Sequence, residues 1–251
     1  MAERSVLEHR TDVVLVEAGN TSWKVATCTG ADELQLQLRT SNIVELRDWL
    51  SGQTIKTVVL ASVGAEQEAV TLISELQDLG FEVYRVQTGE IDGFSHCYKD
   101  ISHLGVDRWL TMVAVKDVGK PSLIIDIGTA FTADWLSATG EHLGGWIAPG
   151  FALMQESLVR RSARLRVQDA VPEGIIGQGT ESAIATGCAA ALDGLVNYAI
   201  EYADETFATK EYDIYLTGGG VRHLKQERSR NFLVRPHLVL EGLAIWVNEN
   251  L

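Results

Sequence analysis

One short pattern constrains this chain more than any other. Val13, Val14, Leu15 and Val16 lead into Glu17, then Ala18, Gly19, Asn20 and Thr21; Leu123, Ile124 and Ile125 lead into Asp126, then Ile127, Gly128, Thr129 and Thr132. Each copy is an apolar run, an acid, a spacer, a glycine and a hydroxyl, followed by a second strand-like piece (Trp23 to Thr27, and Ala133 to Leu136). An apolar run ending in a turn residue reads as a buried strand. The acid at its end stands where a metal or a phosphate can reach it. A glycine beside it lets backbone N–H groups face an anion. Two copies in one chain of 251 residues predict a duplicated fold with a cleft between its halves. A third strand, Ile214 to Thr217, runs into Gly218, Gly219 and Gly220. Three such turns suit one polyphosphate, although any one of them alone reads equally as a plain strand end.

The patterning between these turns fills in the halves. Residues 33–40 alternate apolar and polar with period two, the mark of a half-buried strand. Ile43 to Leu50 predicts a short amphipathic helix, Thr57 to Ser62 a fully buried strand, and Glu66 to Leu79 a helix with Leu72, Ile73, Leu76 and Leu79 on one face. Phe81 to Val86 is the next strand. The resulting order β-β-β-α-β-α-β is that of a ribonuclease-H-like half. Residues 96–104 read as a loop, followed by a helix over 109–118. The second half repeats the plan with strands at 122–127, 131–136 and 142–148, helices at 151–158 and 181–204, a strand at 213–216 and a closing helix at 238–248. The expected division is 12–118 and 119–251. Gly187 and Gly194 lie on the line of the long Ala-rich helix and permit close helix–helix approach, including approach across a dimer.

Composition narrows the partners. A net charge of −13 argues against a nucleic-acid or anionic-membrane surface. An anionic substrate must therefore be met by local Lys and Arg rather than by the global field. Cys28, Cys97 and Cys188 are few and widely spaced, which suggests reduced thiols in a cytoplasm. The charged start of the chain does not read as a signal sequence, and no apolar run approaches the roughly 20 residues of a membrane span.

Outside the glycine turns, Asp107 and Arg108 stand out. A carboxylate near a phosphate site can take a proton from an attacking hydroxyl, and the adjacent Arg can hold a substrate carboxylate or a transferring phosphoryl group. The plainer reading is an acid in the first turn of a helix with a surface Arg. Lys24, three residues after Thr21, is close enough to the turn for a phosphate, or is an edge-strand lysine. Tyr98 lines a pocket or simply packs. Arg160, Arg161, Arg164 and Arg166 read as a solvated or interface face. The sequence contains no Walker-A lysine motif and no Gly-x-Ser-x-Gly elbow.

Together these residues resemble the type III pantothenate kinases, bacterial enzymes of the acetate-kinase, sugar-kinase and actin-like superfamily. Glu17 to Lys24 is similar to the family's first phosphate motif, Leu104-Gly105-Val106-Asp107-Arg108-Trp109 to its most specific signature, and Ile125 to Thr129 to its second phosphate motif. Gly144 to Gly150, Thr180 with Ala183 and Ile184, Thr217 to Gly219, and Pro236 to Leu243 follow in family order. The resemblance implies ATP-dependent phosphorylation of pantothenate, the first step toward coenzyme A. It implies Asp107 as the base and Tyr98, Gly105, Val106, Asp107, Arg108 and Thr180 around pantothenate. It places Glu17, Ala18, Gly19, Asn20, Thr21, Ser22, Trp23, Lys24 and Thr129 on ATP, and Asp126 on a monovalent cation, potassium or ammonium. Mg2+ is expected with ATP, and the resemblance implies a homodimer whose site takes Thr180 from the partner chain. Two departures stand out: Glu17 replaces the family's Asp, and Ile101 stands where a Pro is common. Glu17 also motivates an alternative, a catalytically weak homologue acting as a transcriptional accessory protein on the same scaffold.

Overall fold

The computed structural model of the chain describes residues 11–29, 33–64, 66–160, 172, 174–224 and 231–251. They divide into two compact units, one made of residues up to Val115 together with Leu238–Leu251, the other of Lys116–His237.

The first unit is built on a five-stranded sheet ordered β3-β2-β1-β4-β5, from β1 (Val13–Ala18), β2 (Trp23–Thr29), β3 (Glu33–Thr40), β4 (Thr57–Ser62) and β5 (Glu82–Val86). β1 pairs antiparallel with β2 and parallel with β4, so the antiparallel hairpin and the parallel crossover meet on one central strand. That strand is covered on both faces, which is why it is a continuous Val/Leu run rather than an alternation. Val14, Val16, Leu60, Leu72 and Leu76 form one core with α1 (Ile43–Ser51) and α2 (Glu66–Asp78). The Asn42 side chain starts α1 by accepting from the Val44 amide at 2.9 Å. Leu79, expected on the buried face of α2, is 46% exposed, because the helix ends at Asp78.

The opposite face carries α3 (Val106–Val113) and α6 (Leu238–Asn250), which pack on each other and on the central strands; a two-residue β6 (Ser95–His96) and a 3-10 turn (Ile101–His103) precede α3. A methyl group on Gly242 would strike the Leu110 carbonyl, so the two helix backbones touch where only hydrogen fits. Leu240, Leu243, Ala244 and Val247 of α6 point inward as expected. The expected boundary gave this helix to the second half with the rest of 119–251. It joins the first unit instead, because its apolar face is matched to α3 and β1.

The second unit repeats the strand plan. β7 (Ser122–Ile127), β8 (Ala130–Leu136), β9 (Glu141–Pro149), β10 (Asp213–Thr217) and β11 (Leu233–Val234) lie in the order β11-β10-β7-β8-β9, with β7 antiparallel to β8 and parallel to β10. Strand for strand this is the arrangement of the first unit. It is the duplicated ribonuclease-H-like fold. α4 (Phe151–Arg160) and α5 (Thr180–Thr206) pack on this unit, and α5 lays Ala185, Leu192, Val196, Ala199 and Ala203 on Leu123, Ile125 and Ala133. By length and composition α5 is apolar enough to cross a membrane. Its buried face is covered by β7 and β8.

Candidate functional site

Within the first unit, two groups of residues carry chemistry. The first is the β1–β2 hairpin. Gly19 donates its amide to the Ser22 carbonyl at 3.2 Å, closing the turn through residues 19–22. That amide is therefore engaged inside the turn rather than offered to an anion. Glu17 lies directly opposite Lys24 in the antiparallel register, one pair before the closing pair Ala18–Trp23. Residues directly opposite share a face of the sheet. Both Glu17 carboxylate oxygens accept from the Lys24 ammonium, at 2.9 and 3.0 Å, and each side chain is only 17% exposed. Lys24 is not on an edge: β2 lies between β1 and β3.

The second group surrounds the start of α3. The helix begins earlier than its apolar period suggests, at Val106 rather than Trp109, and ends at Val113 rather than 118. Gly105 stands at its N-cap, and Asp107 falls in the first turn. The Asp107 carboxylate accepts from the Arg108 amide at 2.8 Å and folds back over Gly105, where a methyl group would contact Asp107 Oδ1. A negative charge is favoured there by the dipole of the helix start. Arg108 is no surface residue: it is buried, and its guanidinium donates to the Tyr98 hydroxyl at 2.8 Å, with the Tyr98 ring 6.0 Å from its central carbon. Ahead of it, Asp100 holds the 3-10 turn by accepting from the Ser102 amide at 2.9 Å and hydroxyl at 2.6 Å; these bonds hold its carboxyl below the usual carboxylate range. Ile101, where the resemblance leads to an expectation of Pro, opens that turn.

In the second unit, glycine turns crowd around Asp126. Asp126 occupies the fifth position of β7, as Glu17 does in β1, and pairs with Thr132 on β8 and Thr217 on β10. Gly218, at φ +88°, passes so close that a methyl group would strike Asp126 Oδ1 and the Ile127 carbonyl. Gly150 donates its amide to the Thr129 carbonyl at 2.9 Å, bringing the end of β9 onto the same turn. The Gly128 amide itself donates to the Ala130 carbonyl at 2.8 Å, so it is not among the N–H groups this turn offers an anion. Thr129 is exposed at the tip. The next residues after the glycines form a 3-10 turn, Gly219–His223, in which the His223 ring stacks on Phe151 at 3.8 Å. Among the described residues there is no cluster of three or more His, Cys, Asp or Glu side chains. The donors around Asp126 are a carboxylate, hydroxyls and carbonyls. That oxygen set fits a hard cation and not zinc.

Thr180, the first residue of α5, is exposed at the rim of an apolar groove between α4 and α5, a cavity of about 680 Å³ lined by Met154, Leu158, Ile184, Gly187 and Ala191 among others. Farther along α5, Tyr198 and Tyr202 are 59% and 44% exposed, and Trp146 stacks on Tyr198. Cys188 borders the groove, its thiol pushed up by burial. Of the four arginines singled out in the sequence, Arg160 pairs with Glu156 on the surface; Arg161, Arg164 and Arg166 lie outside the described residues. Period and motif reading missed the Phe151–His223 stack, for which the sequence carries no local signal.

Comparison with known proteins follows the same lines. A family model described as type III pantothenate kinase matches residues 13–202. The type III pantothenate kinase of Idiomarina loihiensis is 33% identical, over 93% of this chain and 97% of the relative. That of Pseudomonas paraeruginosa is 33% identical, over 93% and 98%. Among solved structures, one described as a Baf family transcriptional activator from Campylobacter jejuni superposes with a TM-score of 0.60 at 20% identity, covering 95% of this chain and all of that one. The activator of 2-hydroxyisocaproyl-CoA dehydratase from Clostridium difficile, solved with bound ADPNP, gives 0.50 at 11% identity, covering 94% of each chain. At these identities the two structures speak to the fold alone.

Proposed function

The chain belongs to the type III pantothenate kinase family, and from that membership we propose that it transfers the γ-phosphoryl group of ATP to the primary hydroxyl of pantothenate, giving 4'-phosphopantothenate and ADP. One observation carries the reading beyond family likeness: a buried guanidinium, tied to a tyrosine hydroxyl, directly follows an acid at a helix start. Pantothenate has one carboxylate, which suits Arg108, and one primary alcohol, which suits Asp107. Arg108 offers a planar fork of donors, already oriented by Tyr98, so little freedom is lost when a carboxylate docks. Asp107 accepts the proton of the hydroxyl as its oxygen bonds to the γ-phosphorus and the bond to the β,γ-bridging oxygen breaks. Gly105 and Val106 line the same helix start, and Tyr98 closes it.

On the nucleotide side, residues 17–24 and Thr129 are assigned to ATP. Positioning and charge neutralisation dominate phosphoryl transfer. In a chain of net charge −13, Mg2+ arriving with ATP would supply the missing positive charge. Asp126, with the carbonyl and hydroxyl oxygens of its turn, is the side chain assigned to a monovalent cation, K+ or NH4+. The groove along α5 is assigned to a second copy of the chain, with Thr180 at its rim reaching the partner's pantothenate site. A cytoplasmic location goes with this reading. The regulatory alternative rested on Glu17; yet Glu17 keeps Lys24 at the turn, and the acid, the arginine and the glycine turns are all present.

The test is a coupled assay of ADP release with ATP, Mg2+ and K+, with and without pantothenate. Asp107→Asn is expected to lower kcat by about 10²–10⁴ while the melting temperature holds. Undiminished turnover in that variant would falsify the assignment of the base. ADP release indifferent to pantothenate would remove the substrate.

A further inference from the structure

The two central-strand acids occupy equivalent positions, yet they face different partners. Asp126 stands opposite Thr132, while Glu17 stands opposite Lys24 and gives it both carboxylate oxygens. A carboxylate joined through both oxygens to an ammonium is a poor ligand for a divalent ion. Its charge is already balanced, and each of its oxygens already accepts from the ammonium. The ammonium is equally altered: it lies within hydrogen-bond distance of both Glu17 oxygens, and its field on a nearby phosphate is diminished by the carboxylate beside it. The pair is three-quarters or more buried and sits one residue pair from the turn, so solvent screens it less than a surface ion pair.

We propose that Glu17 acts as a competitor for Lys24 rather than as a metal ligand: in the nucleotide-free protein it holds the ammonium, and a nucleotide polyphosphate must draw Lys24 away from it. This rests on the assignment of residues 17–24 to ATP. Glu17 then sets the strength of nucleotide binding through Lys24, and it is a positioning residue with no direct part in metal coordination. The exchange forms one ammonium–phosphate contact and breaks one ammonium–carboxylate contact, with no proton transferred.

The experiment is calorimetric titration of ATP into the full chain, with and without Mg2+, for the wild type, Glu17→Gln, Lys24→Met and the double variant. Gln keeps the shape of Glu and cannot hold an ammonium by charge. Glu17→Gln is expected to bind Mg2+-free ATP about fourfold tighter, the worth of a modest ion pair. The gain is expected to vanish in the Lys24→Met background, and the Mg2+ concentration for half-maximal turnover is expected to stay within twofold of wild type. Glu17→Asp, which retains the charge on a shorter arm, gives an intermediate affinity and serves if the Gln variant does not fold. Weaker or unchanged binding in Glu17→Gln overturns the proposal. So does a gain that persists without Lys24, which would mean simple repulsion between Glu17 and phosphate, and so does a raised Mg2+ requirement, which would make Glu17 a metal ligand. Wild-type protein that binds ATP but does not phosphorylate pantothenate removes the kinase reading and leaves the exchange intact; wild-type protein that binds no ATP removes both.

Discussion

A guanidinium taken out of water needs acceptors, and Arg108 finds one in the Tyr98 hydroxyl at 2.8 Å. That bond fixes the plane of the fork before any ligand arrives. Lysine has neither the plane nor the number of donors. Arg108→Lys is therefore expected to raise the KM for pantothenate by about tenfold or more, with a smaller effect on the KM for ATP. Tyr98→Phe leaves one donor unpartnered and is expected to cost about 1 kcal/mol in pantothenate binding, roughly a fivefold rise in KM. Steady-state kinetics with each substrate varied in turn checks both. Neither the burial of Arg108 nor its bond to a residue ten positions earlier could be read from spacing. The sequence identified the two side chains and left open whether the arginine was a surface residue. The same holds for Lys24, whose interior strand and carboxylate partner emerge only when β1, β2 and β3 are placed in register.

Elements were legible in proportion to how strongly local chemistry defines them. The β1 and β7 runs and the inward face of α6 could be read directly, since burial on two faces and on a helical stripe leave distinct patterns; the period-two β3 is a strand as expected, although Leu36 on its apolar face is 40% exposed. α3 was misjudged at both ends. Its start is set by Gly105 and the loop geometry before it, and its hydrophobicity is nearly continuous because Trp109, Leu110, Met112 and Val113 are all buried. β11 is two residues long and is held by pairing to β10 alone, so no periodicity could show it. Gly128 was expected to let backbone N–H groups of its turn face an anion; the amides of Gly19 and Gly128 themselves do not. Each is engaged inside its own hairpin, a consequence of how tight those hairpins are. The contact of α3 with α6 gives a test at this scale. Gly242→Ala must push two helix backbones apart, and is expected to destabilise the protein by about 1–3 kcal/mol, read as a lower midpoint in urea, with loss of the α6 packing as its cause.

At the scale of the whole molecule, the shared strand order of the two units is the clearest result, and the duplicated motif foretold it. The assignment of the apolar groove to a second copy belongs here too. Ala191 lines that groove on α5, and Ala191→Arg introduces a charge that a helix–helix contact cannot neutralise. Sedimentation is expected to show the mass halved relative to wild type, and kcat to fall by about tenfold or more as Thr180 is no longer supplied by the partner. Unchanged mass in the Arg variant would move the interface elsewhere.

The membership of α6 in the first unit has a temporal side. A ribosome makes residues 116–237 before it makes 238–251, and those middle residues need nothing later in the chain to complete their own sheet. The β1 sheet, although synthesised first, has α3 exposed on one side until α6 emerges and Gly242 can settle against Leu110. Birth order and completion order are thus reversed: the first unit stays unfinished while residues 116–237 are made, and residues 238–251 are the ones that close it.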